Sequence, residues 1–220
     1  MRRICKYILL LLTLLPMAAY AEEEGNQVGF ALEVGVNKEL PKGFEVGLFG
    51  EVHTCQTFNA LEHYCFIAHG GYEILPWLHT EVGYQFLHIN NAEDREDLAL
   101  GWNIKHRVFA GLEGGYGVKG FSFAVRERYD FTTNPFSHVL RSRLNLEYEF
   151  QKAPIGVFAN AELLNEMTQK FRIGQVFYRL GLEWHVNDQH TLELTAGYNA
   201  KDFLEEERGF LIELGYELEL

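Results

Sequence analysis

Six basic residues stand at strand spacing between Asn103 and Phe150: Lys105 and Arg107, Arg126 and Arg128, Arg141 and Arg143. The members of each pair are two positions apart, so both point to the same face of a β-strand. The intervening residues are mostly apolar, among them Val108, Ala110, Phe123, Val125, Leu144 and Leu146. Three consecutive strands therefore put guanidinium on one face and hydrocarbon on the other. Like charges a few ångströms apart repel by about 1–4 kcal/mol per pair, depending on solvation. Such a wall needs facing acids or a bound anion. Glu33, Glu51, Glu183, Glu193 and Glu213 share its polar face on other strands, and Asp130, Glu147 and Glu162 lie beside it. Registers counted from the turns predict Arg107 opposite Asp130, Arg143 opposite Glu162, Glu51 opposite His69, Glu73 opposite His79 and His185 opposite Glu193.

Other chemistries find less support. His53, His69 and His79 share the polar face with Cys65, but at different heights and without tight ligand spacing, so no metal site is expected. The acidic runs Glu93 to Asp97 and Glu205 to Glu207 lack the ligand spacing of a calcium loop. After the leader the serines are Ser122, Ser137 and Ser142, and no histidine is placed next to any of them by register. The glycine-rich run Gly111 to Gly120 has no helix to receive phosphate. No catalytic residue, cofactor or enzyme activity is expected. Cys55 and Cys65 flank a loop in an exported chain, and a disulfide across its base is expected.

The elements that position these residues all have period two. Strands are predicted at about 28–39, 44–54, 63–74 and 78–89, on either side of Gly117 to Gly120, and at 138–150, 155–164, 173–186, 191–200 and 209–220. Tight turns at Pro41, Pro76, Val118, Pro154 and Asp188 alternate with longer polar loops, as in outer-membrane barrels with short periplasmic turns. A soluble barrel with an apolar lumen has the same period. Strand length and two aromatic girdles favour the membrane. Phe44, Tyr72, Tyr116, Tyr148, Trp184 and Tyr216 gather near the turns, and Phe30, Tyr64, Phe86, Tyr129, Tyr178 and Tyr198 near the loops. The expected fold is an all-β, antiparallel up-and-down transmembrane barrel of about 10–12 strands. Eleven strands count out directly. Twelve, ten, or eleven with a parallel closure all remain open.

Arg2, Arg3 and Lys6, the apolar run Tyr7 to Leu15 and Ala19-Tyr20-Ala21 read as a signal peptide over residues 1–21, leaving residues 22–220 as the barrel. Removing those three basic residues takes the formal charge from −12 to −15, which argues against a nucleic-acid partner. The chain ends Glu213-x-Gly215-x-x-Leu218-x-Leu220. This resembles the carboxy-terminal signal read by the barrel assembly machinery, with leucine where the terminal residue is more often phenylalanine.

The mature chain also resembles a family of outer-membrane barrels known as domain of unknown function 2490. The likeness rests on Lys105-His106-Arg107, Arg126-Glu127-Arg128-Tyr129, Leu140 to Leu144 with Glu147-Tyr148, Ala161 to Glu166, Arg179 to Trp184 and Leu214-Gly215-Tyr216. It implies fold and location, in the outer membrane of a Gram-negative bacterium, but no chemistry. Outer-membrane lipid and lipopolysaccharide are the expected partners of a monomer. Two functional readings stand: a narrow channel for small solutes or ions, and a closed barrel serving as a surface scaffold or binding protein through its outer loops.

Overall fold

The computed structural model describes residues 27–55, 60–90, 101–168, 172–201 and 208–220. The predicted signal peptide, the segment leading to the first strand and both acidic runs lie outside them. Eleven strands follow in chain order: β1 Gln27–Leu40, β2 Phe44–Cys55, β3 Ala60–Leu75, β4 Leu78–Asn90, β5 Trp102–Val118, β6 Phe121–Thr132, β7 Ser137–Glu149, β8 Ile155–Glu166, β9 Arg172–Asn187, β10 His190–Lys201 and β11 Arg208–Glu219. Each pairs antiparallel with the next, and β1 closes the barrel on β11.

The closing seam is parallel, running from Gln27↔Gly209 to Asn37↔Glu219. Of the three closures left open by the sequence, this is eleven strands with a parallel seam. Both β1 and β11 run from the loop end to the turn end, so only parallel bonding can join them. The odd count departs from the even numbers of bacterial single-chain barrels.

The outward face is apolar along the strands. Leu48, Phe66, Val82, Leu112 and Leu180 are each half-exposed or more, which suits side chains meeting lipid rather than water. Rings pair near the turn end, Phe44 with Tyr72 at 4.6 Å and Phe121 with Tyr148 at 4.4 Å. Four outward imidazoles are each hydrogen-bonded to a tyrosine hydroxyl of the adjacent strand: His88 to Tyr64, His106 to Tyr84, His138 to Tyr129 and His190 to Tyr216, at 2.5–2.7 Å. A polar ring on the membrane face is thereby satisfied without water. An apolar, aromatic-girdled outer face around a charged interior makes this an outer-membrane barrel.

Inside, three phenylalanines lie flat over glycines of the neighbouring strand. Phe49 faces Gly35, Phe109 faces Gly83 and Phe158 faces Gly181. A Cβ at Gly83 would come within 2.2 Å of the Phe109 ring, whose neighbourhood also holds the Arg128 guanidinium, 4.6 Å from the ring centroid. Gly83→Ala should therefore lift the ring and lower stability to urea by about 1–3 kcal/mol. An unchanged unfolding midpoint would show that the ring moves freely.

Candidate functional site

Alternation brings the basic residues to the lumen as the sequence implies, and a fourth strand joins them. Arg126 stands opposite Arg143 and Arg128 opposite Arg141 across the β6–β7 ladder, while Arg107 comes from β5 and Arg179 from β9. Two carboxylates sit within this belt. Glu162, on β8, is fully buried. It accepts from Arg141 at 3.1 and 2.6 Å and from Arg143 at 3.3 Å on both oxygens, with Arg126 at 3.6 Å and Arg179 at 3.5 Å. Asp130 accepts a bidentate pair from Arg128 at 2.8 and 3.2 Å and has Arg107 at 3.8 Å and Arg141 at 3.7 Å. At the flanks Glu81 lies 3.8 Å from Arg126 and Glu213 lies 3.5 Å from Arg179. Six guanidiniums thus meet four carboxylates, a surplus of two positive charges. The carboxylates at the centre are sealed, while each guanidinium keeps 12–24% of its side chain open. What the belt presents to the lumen is cationic. Lys105 stands nearer the loops, opposite Leu87, outside these ion pairs among the described residues.

The far wall is acidic. Glu33 is directly opposite Glu51, and Glu183 directly opposite Glu193, arrangements that cost stability unless water or cations lie between them. Gly215 lies beside Glu33 and Glu193, Thr195 donates to Glu193 at 2.6 Å, and His53 is hydrogen-bonded to Glu51. Glu213 belongs to both walls through Arg179. Glu147 is not on the far wall. It shares β7 with Arg143, accepts from Ser122 at 3.1 Å and lines a cavity of about 820 Å3 at the turn end, together with Glu39, Glu45, Glu73, Glu113 and His79.

Several expected pairings need correction. Arg143 does face Glu162 and Glu73 does face His79. Arg107 instead faces Thr132, because the β5–β6 turn is only Lys119-Gly120, both with positive φ, and the ladder continues to Val118↔Phe121. Arg107 reaches Asp130 only diagonally. Glu51 faces Cys65 rather than His69, which faces Gly47. His185 faces Thr191 rather than Glu193, since Asn187 Oδ1 accepts from the backbone N–H groups of Gln189 and His190 and tightens that turn.

The expected disulfide is also corrected. Cys65 is a buried free thiol, and Cys55 pairs in the ladder with Ala60. Five residues of strand separate Ala60 from Cys65, roughly 17 Å along the sheet, beyond the reach of a disulfide. Ligand spacing in the sequence does not single out His63. It lies opposite His53 on the lumen face, and donor atoms of Glu51, His53 and His63 fall within 4.8 Å of one another. Arg179 and Glu81 were missed because neither shares a ladder rung with a belt residue of opposite charge. Of the residues expected to form a carboxy-terminal signal, Glu213 points into the lumen and Gly215 sits opposite Glu193. Leu218 is opposite His190, and the Leu220 N–H donates to Asn37 O at 2.9 Å.

Residues 30–210 match the family described as "Protein of unknown function (DUF2490)". No curated protein matches the chain. Among solved structures, one titled "NanC porin structure in rhombohedral crystal form" aligns with a TM-score of 0.54 and 14% identity, covering 86% of this chain and 94% of that one. "KdgM porin" and "KdgM porin in complex with disordered oligogalacturonate" align at TM-scores of 0.45 and 0.47, each at 14% identity, covering 79% of this chain and 91% of theirs. The barrel thus resembles known porins and carries a charged, salt-bridged interior.

Proposed function

The chain belongs to the DUF2490 family, and from that premise we propose that its barrel is a narrow outer-membrane channel for small charged solutes and ions. The observation that carries the reading is the arginine belt, with cationic groups open to the lumen and the two central carboxylates, Asp130 and Glu162, buried behind them. Eight strands suffice for a lumen filled by side chains, and sixteen leave a wide aqueous channel. Eleven strands lie between. The 820 Å3 cavity at the turn end supports an interior that holds water. So do Asn160 Oδ1 and Asn199 Oδ1, buried oxygens that find no hydrogen-bond partner among the described residues and that a dry lumen would strand. An anionic solute crossing the belt gains charge-assisted hydrogen bonds, while the far wall keeps room for its counter-ions.

The ion-paired state of the belt also fits the second reading, a sealed barrel acting through its outer loops. Liposome swelling separates the two. Proteoliposomes should swell in small anionic sugar acids and exclude large neutral oligosaccharides. No swelling in any solute from vesicles that hold folded protein would favour the sealed barrel.

In the same reading, residues 1–21 direct export. Glu213, Gly215, Leu218 and Leu220 present the last strand to the barrel assembly machinery, and the outer rim meets lipopolysaccharide.

A further inference from the structure

Two residues of β2 and two of β3 form a square on the lumen wall near the loop end. His53 lies opposite His63, and Glu51 lies opposite Cys65. All four point inward, because the outward positions between them hold Val52 and Tyr64, and Phe66 follows outward. The two imidazoles stack with centroids 4.1 Å apart. His53 Nε2 is hydrogen-bonded to one oxygen of Glu51, and Cys65 Sγ donates to the other at 3.3 Å. Donor atoms of Glu51, His53 and His63 lie within 4.8 Å of one another. Around Zn2+, with bonds of about 2.0–2.2 Å, tetrahedral donors stand roughly 3.3–3.6 Å apart. Small rotations of the two rings and the carboxylate close that difference.

We propose that Glu51, His53 and His63 bind a divalent transition-metal ion of the Zn2+ type at the outer end of the lumen. Two imidazoles and a carboxylate are the donors that such ions take, whereas Ca2+ and Mg2+ favour all-oxygen sets. Three protein ligands leave a coordination position facing the lumen for water or a solute carboxylate. Cys65 is a positioning residue that holds the second oxygen of Glu51. Gln85 Nε2 donates to Cys65 Sγ at 3.2 Å, and Arg107 Nη1 donates to Gln85 Oε1 at 3.0 Å. This chain ties the site to the arginine belt and fixes the carboxylate from behind. The site does not depend on the lumen being open.

The test is Zn2+ titration of the refolded barrel in detergent against a chromophoric chelator. One ion should bind per chain. His53→Ala and His63→Ala should each weaken binding by about 100-fold or more, and Gln85→Ala by about tenfold. His69→Ala, on β3 and facing the lumen outside the square, should leave it unchanged. Co2+ added to the unaltered protein should give the visible bands of a four- or five-coordinate site, a readout that needs no variant to fold. Absence of stoichiometric Zn2+ uptake, or uptake undiminished when both His53 and His63 are alanine, would overturn the proposal.

Discussion

Glu162→Gln should cost the barrel about 3–5 kcal/mol of stability, the range for removing one partner from a buried ion pair. Glu162 is fully buried and is shared by Arg126, Arg141, Arg143 and Arg179. Glutamine keeps the shape and removes the charge, so four guanidiniums are left around a neutral amide. With Arg126 directly opposite Arg143, their repulsion is then uncompensated. The loss should appear as a lower urea midpoint and as reduced heat-modifiable gel mobility. Arg143→Ala is the informative comparison. One-to-one pairing read from the ladder predicts that it strands Glu162. In the structure Glu162 keeps three other arginines, and the change also relieves Arg126. It should therefore cost no more than about 1–2 kcal/mol. Equal losses for the two variants would contradict a shared central carboxylate.

The second large effect concerns permeation. Arg126 belongs to the belt and keeps 16% of its side chain open to the lumen. Arg126→Glu changes the local charge by two units and cancels the surplus of six guanidiniums over four carboxylates. Two charge units at roughly 6 Å in water are worth about 1.4 kcal/mol to an anion and the opposite to a cation, which is near a tenfold change in each permeability and near a hundredfold change in their ratio. In a KCl gradient across a bilayer, the reversal potential should move toward the potassium side. The shift should shrink as salt rises, because a Debye length of about 8–10 Å at 0.1–0.15 M falls to about 3 Å at 1 M. A reversal potential identical to that of the unaltered protein would remove the belt from the permeation path.

Much of the barrel is legible in the sequence. Period-two alternation separates lumen from lipid residue by residue, so the belt from Arg107 to Arg143 and the far glutamates fall on the correct face without knowledge of the fold. Register is legible only where a turn is unambiguous. Pro76-Trp77 together with an irregularity between Glu73 and Leu75 sets Glu73 against His79, whereas a β5–β6 turn placed one residue too early moves Arg107 by two rungs, onto Asp130 in place of Thr132. A separate register error in the β2–β3 ladder underlies both the expected Glu51–His69 pairing and the expected Cys55–Cys65 bridge, since Glu51 faces Cys65 and Cys55 faces Ala60. Arg179 was not legible. It meets Glu162 and Glu213 from rungs opposite Asn160 and Gly197, and long side chains reach along a sheet in ways that ladder counting does not capture. The lumenal phenylalanines sit where only a cross-strand glycine admits them, a pairing that needs the register first. The parallel seam follows from the direction of β1 and β11, which the loop lengths indicate but alternation does not.

The central claim is that this lumen is a narrow open passage. Planar-bilayer recording of the refolded barrel tests it most directly. The account predicts discrete, ohmic single-channel steps, smaller than those of wide sixteen-stranded pores. A folded, heat-modifiable barrel that inserts and stays electrically silent would contradict it.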